Sequence, residues 1–131
     1  MKNKFIYIYL IFLFLVCDVL AAEELQINAT KIQYDDNKKI TVFKGSVDAT
    51  DSKNNKLLTN YAEYNKTSKT LETQGLTEII TSQGYNIKGT NILFDNKKKI
   101  ISSLAKTEII DKDGNKISLD MFNYFTEKNI F

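Results

Sequence analysis

The sequence predicts an all-β fold on three observations: a short phrase that returns every 30 residues, two strand-like runs inside each return, and a consistent sidedness of those runs. The phrase is Ile32-Gln33-Tyr34, then Ala62-Glu63-Tyr64, Ile92-Leu93-Phe94 and Phe122-Asn123-Tyr124. Other positions keep the register: Asp35, Asn65 and Asp95; Lys39, Lys69 and Lys99; Gly45, Gly75 and Ala105; Leu57, Ile87 and Ile117. Self-similarity at a fixed period is the mark of stacked supersecondary units.

Each unit contains two runs rich in Ile, Val, Thr, Tyr and Phe, separated by polar turns such as Asp35 to Lys38, Asp51 to Asn55, Asn65 to Ser68, Asp95 to Lys98 and Asp111 to Gly114. β-branched and aromatic residues suit a pleated, half-buried surface, and Asp, Asn and Gly suit turns. No segment sustains an apolar stripe of 3.6-residue period, so helical repeats are excluded and β-hairpins remain.

Alternate residues of a strand point to opposite faces. In the longer run of each unit one face reads Thr41, Leu71 and Ile101; Phe43, Thr73 and Ser103; Gly45, Gly75 and Ala105; Val47, Thr77 and Thr107; Ala49, Ile79 and Ile109. The opposite face carries Lys44, Glu72, Gln74, Glu78, Lys106 and Glu108. In the returning run the apolar pairs Leu57 and Ala62, Ile87 and Ile92, and Ile117 and Phe122 are five residues apart, an odd spacing that strict alternation would place on opposite faces. A bulge or bend near Asn60, Gly89 and Leu119 restores them to one interior. Gly45, Gly75 and Ala105 are placed to bend the longer run in the same way. Bent hairpins stacked at this interval give two facing sheets with a shared apolar lining.

With 131 residues there is room for one domain. Lys2 and Lys4 precede an apolar run from Phe5 to Val16 that ends in Leu20-Ala21-Ala22, the pattern of an export signal. Asp18 interrupts the stretch before the roughly 20 apolar residues that a membrane-spanning helix needs. The expected division is a signal peptide over 1–22 and a β domain over 23–131. Cys17 is the only cysteine and lies in the signal, and Val16 before it departs from the small residue of a lipoprotein site. The secreted part is therefore without a thiol for a disulfide, a metal or nucleophilic catalysis.

Loss of residues 1–22 changes the formal charge from +2 to +1. All 18 basic residues are lysine, so the bidentate contacts that arginine makes with phosphate and guanine are missing and no nucleic-acid partner is expected. Histidine is absent, which removes the commonest general base and metal ligand at neutral pH. Asp35, Asp51, Asp95, Asp111, Asp113 and Asp120 are candidates for a hydrolytic pair or a calcium site, but most fall in turns, where aspartate serves the local backbone. The segment from Asp111 to Asn115 opens like a calcium loop, yet its twelfth position is Phe122 rather than glutamate. No catalytic residue, metal site or cofactor is expected. The triplets beginning at Asn28 and Asn65 match a glycosylation pattern that recurs by chance in an Asn-rich chain. The tyrosines at 34, 61, 64, 85 and 124 read as half-buried strand packing before they read as a sugar platform.

The 30-residue β-repeat behind a signal, with phrases such as Ala29-Thr30-Lys31-Ile32-Gln33-Tyr34-Asp35, Lys39-Ile40, Phe43-Lys44-Gly45-Ser46-Val47 and Leu57-Leu58-Thr59-Asn60, resembles the OstA-like family over about residues 27–131. The resemblance implies a twisted, V-shaped β jelly roll in the periplasm, able to associate with the outer membrane. Its groove would shelter the acyl chains of lipopolysaccharide during transport and assembly. Phe43, Val47, Leu71, Ile79, Ile87, Ile92, Ile101, Ile109, Ile117 and Phe122 are the expected lipid-groove residues. Thr and Ser in the lining columns suggest a cleft that is shallow, continuous and only partly dry. The implied partners are lipopolysaccharide and other OstA-like jelly-roll domains joined by edge-strand addition. The fourth unit begins its second strand at Asn129-Ile130-Phe131 and stops. Either the sequence is a piece of a longer outer-membrane assembly protein, or that strand docks on a neighbouring domain. Two other classes fit the repeat: a structural or adhesive β-solenoid with a closed core, and, less well, a lipocalin-like closed barrel.

Overall fold

The computed structural model describes residues 25–131; the expected signal over 1–22, with Cys17, lies outside the described residues. Among those described, twelve strands follow one another without a helix. They are β1 (Gln26–Asn28), β2 (Lys31–Asp35), β3 (Ile40–Thr50), β4 (Lys56–Asn65), β5 (Thr70–Thr73), β6 (Leu76–Ile80), β7 (Asn86–Thr90), β8 (Leu93–Asp95), β9 (Ile100–Ser103), β10 (Thr107–Ile110), β11 (Lys116–Leu119) and β12 (Phe122–Phe125). All neighbouring strands are antiparallel.

The long strands β3 and β4 cross the whole molecule, and their two ends pair with different partners. Ile40 to Lys44 and Tyr61 to Asn65 belong to a half-sheet ordered β2-β3-β4-β5-β8-β9-β12. Val47 to Thr50 and Lys56 to Thr59 belong to a second, ordered β1-β3-β4-β6-β7-β10-β11. One sheet is thus folded along a crease, and its two halves face each other across a single core. The two facing sheets expected from the repeat are present, in the all-β, V-shaped jelly roll that the resemblance implies.

The crease forms where the sequence interrupts regular pleating. In β3 the register slips between Lys44 and Val47, and the residues between, Gly45 and Ser46, have φ of 74° and 48°. Gly45 also accepts a backbone hydrogen bond from Thr30 at 2.8 Å, so a side chain there would meet both strain and Thr30. In the returning runs the interior phase changes between Thr59 and Ala62, between Gly89 and Ile92 (with Asn91 at φ 53°), and over Asp120 and Met121 between β11 and β12. These breaks lie within two residues of the positions expected from the odd spacing.

At the crease the ladder loses hydrogen bonds, and buried hydroxyls replace them. The Thr73 hydroxyl accepts from the Ile92 amide at 2.9 Å and lies 2.8 Å from the Thr77 hydroxyl, which is 3.2 Å from that of Thr59. Thr59, Ser103 and Thr107 donate to the carbonyls of Leu76, Thr90 and Ala105. Thr73, Thr77, Ser103 and Thr107 are all fully buried. The reading of these residues as a moist groove lining is therefore corrected: they satisfy the backbone where the sheet turns.

Gly89 is buried in this region, and a Cβ there would come 2.9 Å from the Thr107 hydroxyl and 3.2 Å from Ile92 Cδ1. Gly89→Ala is expected to cost about 1–3 kcal/mol by overpacking. Denaturant unfolding checks this, and an unchanged midpoint would show that the crease has slack.

Candidate functional site

Cross-strand pairing lines up two apolar rows, one on the inner face of each half-sheet. The first runs Thr41, Tyr64, Leu71, Phe94, Ile101, Tyr124. The second runs Ile27, Ala49, Leu57, Ile79, Ile87, Ile109, Ile117. Phe43, Val47, Ile92 and Phe122 flank them toward the crease and complete the core. Of the ten residues nominated from sequence, nine come together here and are buried. The tenth, Ile117, has the right phase but is 55% exposed: it ends its row on edge strand β11, with no described strand beyond it.

Sequence reasoning passed over Phe94 and Tyr124, both buried in the first row. Their signal was the closing position of the recurring phrase, but the same position in the first unit is Tyr34, which sits exposed on edge strand β2. Burial pushes the Tyr124 phenol above its usual pKa, so it stays protonated and donates to Asn129 Oδ1 at 3.0 Å.

The expected continuous groove is closed over much of its length. Where Leu57 and Ile79 of one row meet Leu71, Phe94 and Ile101 of the other, the remaining void is about 10 Å³, roughly the minimum for a single water. The lips of the V touch there: Lys53 Nζ donates to the Thr126 carbonyl at 3.3 Å. Further along, the ring of Phe131 packs on Tyr85 from one half-sheet and Tyr124 from the other, at centroid distances of 5.1 and 4.8 Å. Ile130 makes only an isolated bridge with Phe125.

Toward β1 and β2 the V opens. A cleft of about 660 Å³ lies there, with Leu25, Ile27, Phe43 and Tyr64 as an apolar floor and Thr41 beside them, a volume in the usual range of small-molecule sites. Its rim among the described residues is Lys66, Lys69, Lys97 and Lys99 with Asn96. Of the sequence-nominated residues, Phe43 alone reaches this open space. Another concavity, of about 630 Å³, holds Glu63, Glu72 and Asp95 beside Lys97 and Lys98, and so has mixed charge.

The lysine rim is built by the repeat itself. Turns 36–39, 66–69, 96–99 and 126–129 stack along one lip, joined by backbone hydrogen bonds from Lys66 to Lys39, Asn96 to Lys69 and Thr126 to Lys99 at 3.0, 3.0 and 2.9 Å. The last residue of each, Lys39, Lys69, Lys99 and Asn129, has φ between 53° and 59°. The opposite lip has turns of another kind. The Asp51 carboxylate accepts from the amides of Lys53 and Asn55 and from the Asn55 side chain, and Asp111 accepts equivalent bonds from Asp113 and Asn115. The Asn115 side chain, aided by backbone amides, holds the Asp111 carboxyl below the usual carboxylate pKa. The residues that began like a calcium loop are thus committed to their own turn.

Fold and cleft together define a creased β jelly roll with a dry interior that opens at one end beneath a basic lip. No protein-family model matches the sequence, and no curated protein does. Among solved structures, the chain is similar to LptH of Pseudomonas aeruginosa, described as the LptA homologous periplasmic component of the conserved lipopolysaccharide transport device. The identity is 17%, over 82% of this chain and 80% of that one, with a TM-score of 0.71. The OstA-like resemblance read from the repeat is borne out in the fold.

Proposed function

We propose that this protein holds the acyl chains of lipopolysaccharide between its half-sheets and carries the lipid toward the outer membrane, as a periplasmic component of a transport bridge. The apolar cleft of about 660 Å³ at the open end of two continuous apolar rows supports this reading best. Acyl chains entering between Ile27 and Phe43 would meet side chains that ask for no specific polar partner, at about 0.8 kcal/mol for each methylene removed from water. Deeper occupation along Leu71, Ile79, Ile87, Ile92, Ile101 and Ile109 requires the lips to part about the crease, with Val47 and Phe122 beside it. The absence of histidine and the commitment of the turn carboxylates support a carrier rather than an enzyme.

Both ends of the folded sheet finish in edge strands that pair with a named strand on one side only among the described residues, β1 and β2 at one end and β11 and β12 at the other. Ile32 and Tyr34 are exposed at the first, and Ile117 at the second. Addition of strands from other OstA-like jelly-roll domains would cover them and extend both rows. Either an LptA-like bridge protein or the N-terminal domain of an LptD-like protein at the outer membrane has this use for such edges.

The packed middle of the interior favours a second reading, a structural or adhesive β-repeat without a lipid. Native mass spectrometry of the purified protein after incubation with lipopolysaccharide separates them. A bound lipid of the added mass is expected. Protein free of lipid at micromolar concentrations of both would overturn the transport reading in favour of the closed rod.

A further inference from the structure

We infer that residues 126–131 form a strap that closes the interior at its β12 end, with the Phe131 ring standing where an acyl chain passes when the half-sheets part. This inference rests on the lipid-carrier reading and adds a gate to it. In the 30-residue register Phe131 follows Leu71 and Ile101, the inward residues of the first row. It keeps their inward aim, but its ring reaches the opposite half-sheet. There it stands edge-on to Tyr85, at an interplanar angle of 85°, while resting on Tyr124 of its own row. The base of the strap is tied to both lips. Thr126 donates through its amide and its hydroxyl to the Lys99 carbonyl, and its own carbonyl accepts from Lys53.

The opposite lip carries a matching departure from the repeat. Its turns at 51–55 and 111–115 are closed by an Asp and an Asn four residues on, Asp51 with Asn55 and Asp111 with Asn115. In the turn between them the same positions hold Thr81 and Tyr85. The Thr81 hydroxyl accepts from the Tyr85 amide at 3.0 Å and so keeps the turn. The side chain at 85 is thereby released from closing it, and an aromatic ring is set on the lip where Phe131 arrives. Beyond its base the strap is held lightly. Ile130 and Phe131 are 51% and 45% exposed, and the backbone pairs with β12 only through the bridge to Phe125. A space of about 230 Å³ beside Asn129 and Tyr85 gives it room to swing outward. Two aromatic contacts favour the closed strap by roughly ten- to hundredfold, enough to keep it shut and little enough for an apolar chain to displace it.

Thiol labelling of the full chain carrying Cys17→Ser tests the strap, with one buried cysteine introduced at a time. Ile109→Cys lies inward on β10, the strand beside β7 and Tyr85, and Leu57→Cys lies inward on β4, farther from the strap. Phe131→Ala is expected to speed labelling at Ile109→Cys by about tenfold and to leave Leu57→Cys within about twofold. Phe131→Tyr should keep the slow rate. Equal acceleration at both cysteines would show a loosened core, and an unchanged rate at Ile109→Cys would show no gate; either overturns the strap. The sequence has no tryptophan, so Phe131→Trp reports on the ring alone. Lipopolysaccharide should shift its emission to the red as the ring leaves Tyr85 and Tyr124, and Phe131→Ala should bind that lipid about tenfold more tightly because no ring competes. Lipid that binds without moving the emission would overturn the displacement of Phe131 while leaving lipid carriage standing. No lipid bound by either protein, with the labelling difference intact, would overturn the carrier reading and the acyl chain's place in the gate, leaving only a closing strap.

Discussion

A photo-crosslinker in place of Ile27 is expected to capture lipopolysaccharide readily, because that position opens on the cleft. One at Ile79 or Ile101 reports only on molecules whose lips have parted. Crosslinkers at Glu78 or Lys106, on the opposite phase, should capture little. Lys53→Ala deletes the hydrogen bond between the lips. It should raise labelling at Ile101 roughly two- to tenfold, the change that about 0.5–1.5 kcal/mol makes in an opening equilibrium. The yield of crosslinked adduct on denaturing gels measures this. Equal labelling at Ile101 and Glu78 would show that the interior rows are not the lipid path.

Leu71→Ala is expected to produce the largest loss of stability. Leu71 is fully buried in the first row between Tyr64 and Phe94, and its truncation leaves a cavity where the half-sheets already meet tightly. The cost should be about 2–5 kcal/mol, lowering Tm by roughly 10–30 °C in a domain of this size. Scanning calorimetry checks it. A fall of less than about 2 °C, well below what one kcal/mol produces, would mean that the rows are loosely opposed and that the interior is already an open groove.

The period, the strand faces and the crease were legible because they depend on local spacing. Alternation put Leu71, Ile79, Ile101 and Ile109 on the inner face, and the odd interval from Ile87 to Ile92 announced a break. What stayed hidden depends on contacts between segments far apart in the chain. Ile117 has the same phase as Leu57 and Ile87, but its exposure is decided by what lies across from β11, which alternation does not encode. The threonines at 73 and 77 looked like wetted lining because their burial follows from carbonyls and amides freed at a bend whose depth the sequence does not state. The contact of Lys53 with Thr126, 73 residues away, had no precursor in the pattern. The lysines did have one: Lys39, Lys69 and Lys99 recur in register, and only their stacking turned that recurrence into a rim.

The hydrogen bonds from one turn to the turn 30 residues earlier give the molecule a built-in unit of length. Each turn is closed by its predecessor rather than by a distant part of the chain, so a whole unit can be inserted or removed without altering the joints on either side. Every unit lengthens each half-sheet by two strands, or roughly 10 Å. The length of the two interior rows is then fixed by repeat number, and with it, on the lipid-carrier proposal, the span over which an amphiphile would be sheltered; a lineage could change that reach in whole steps by duplicating or deleting 30 codons in frame.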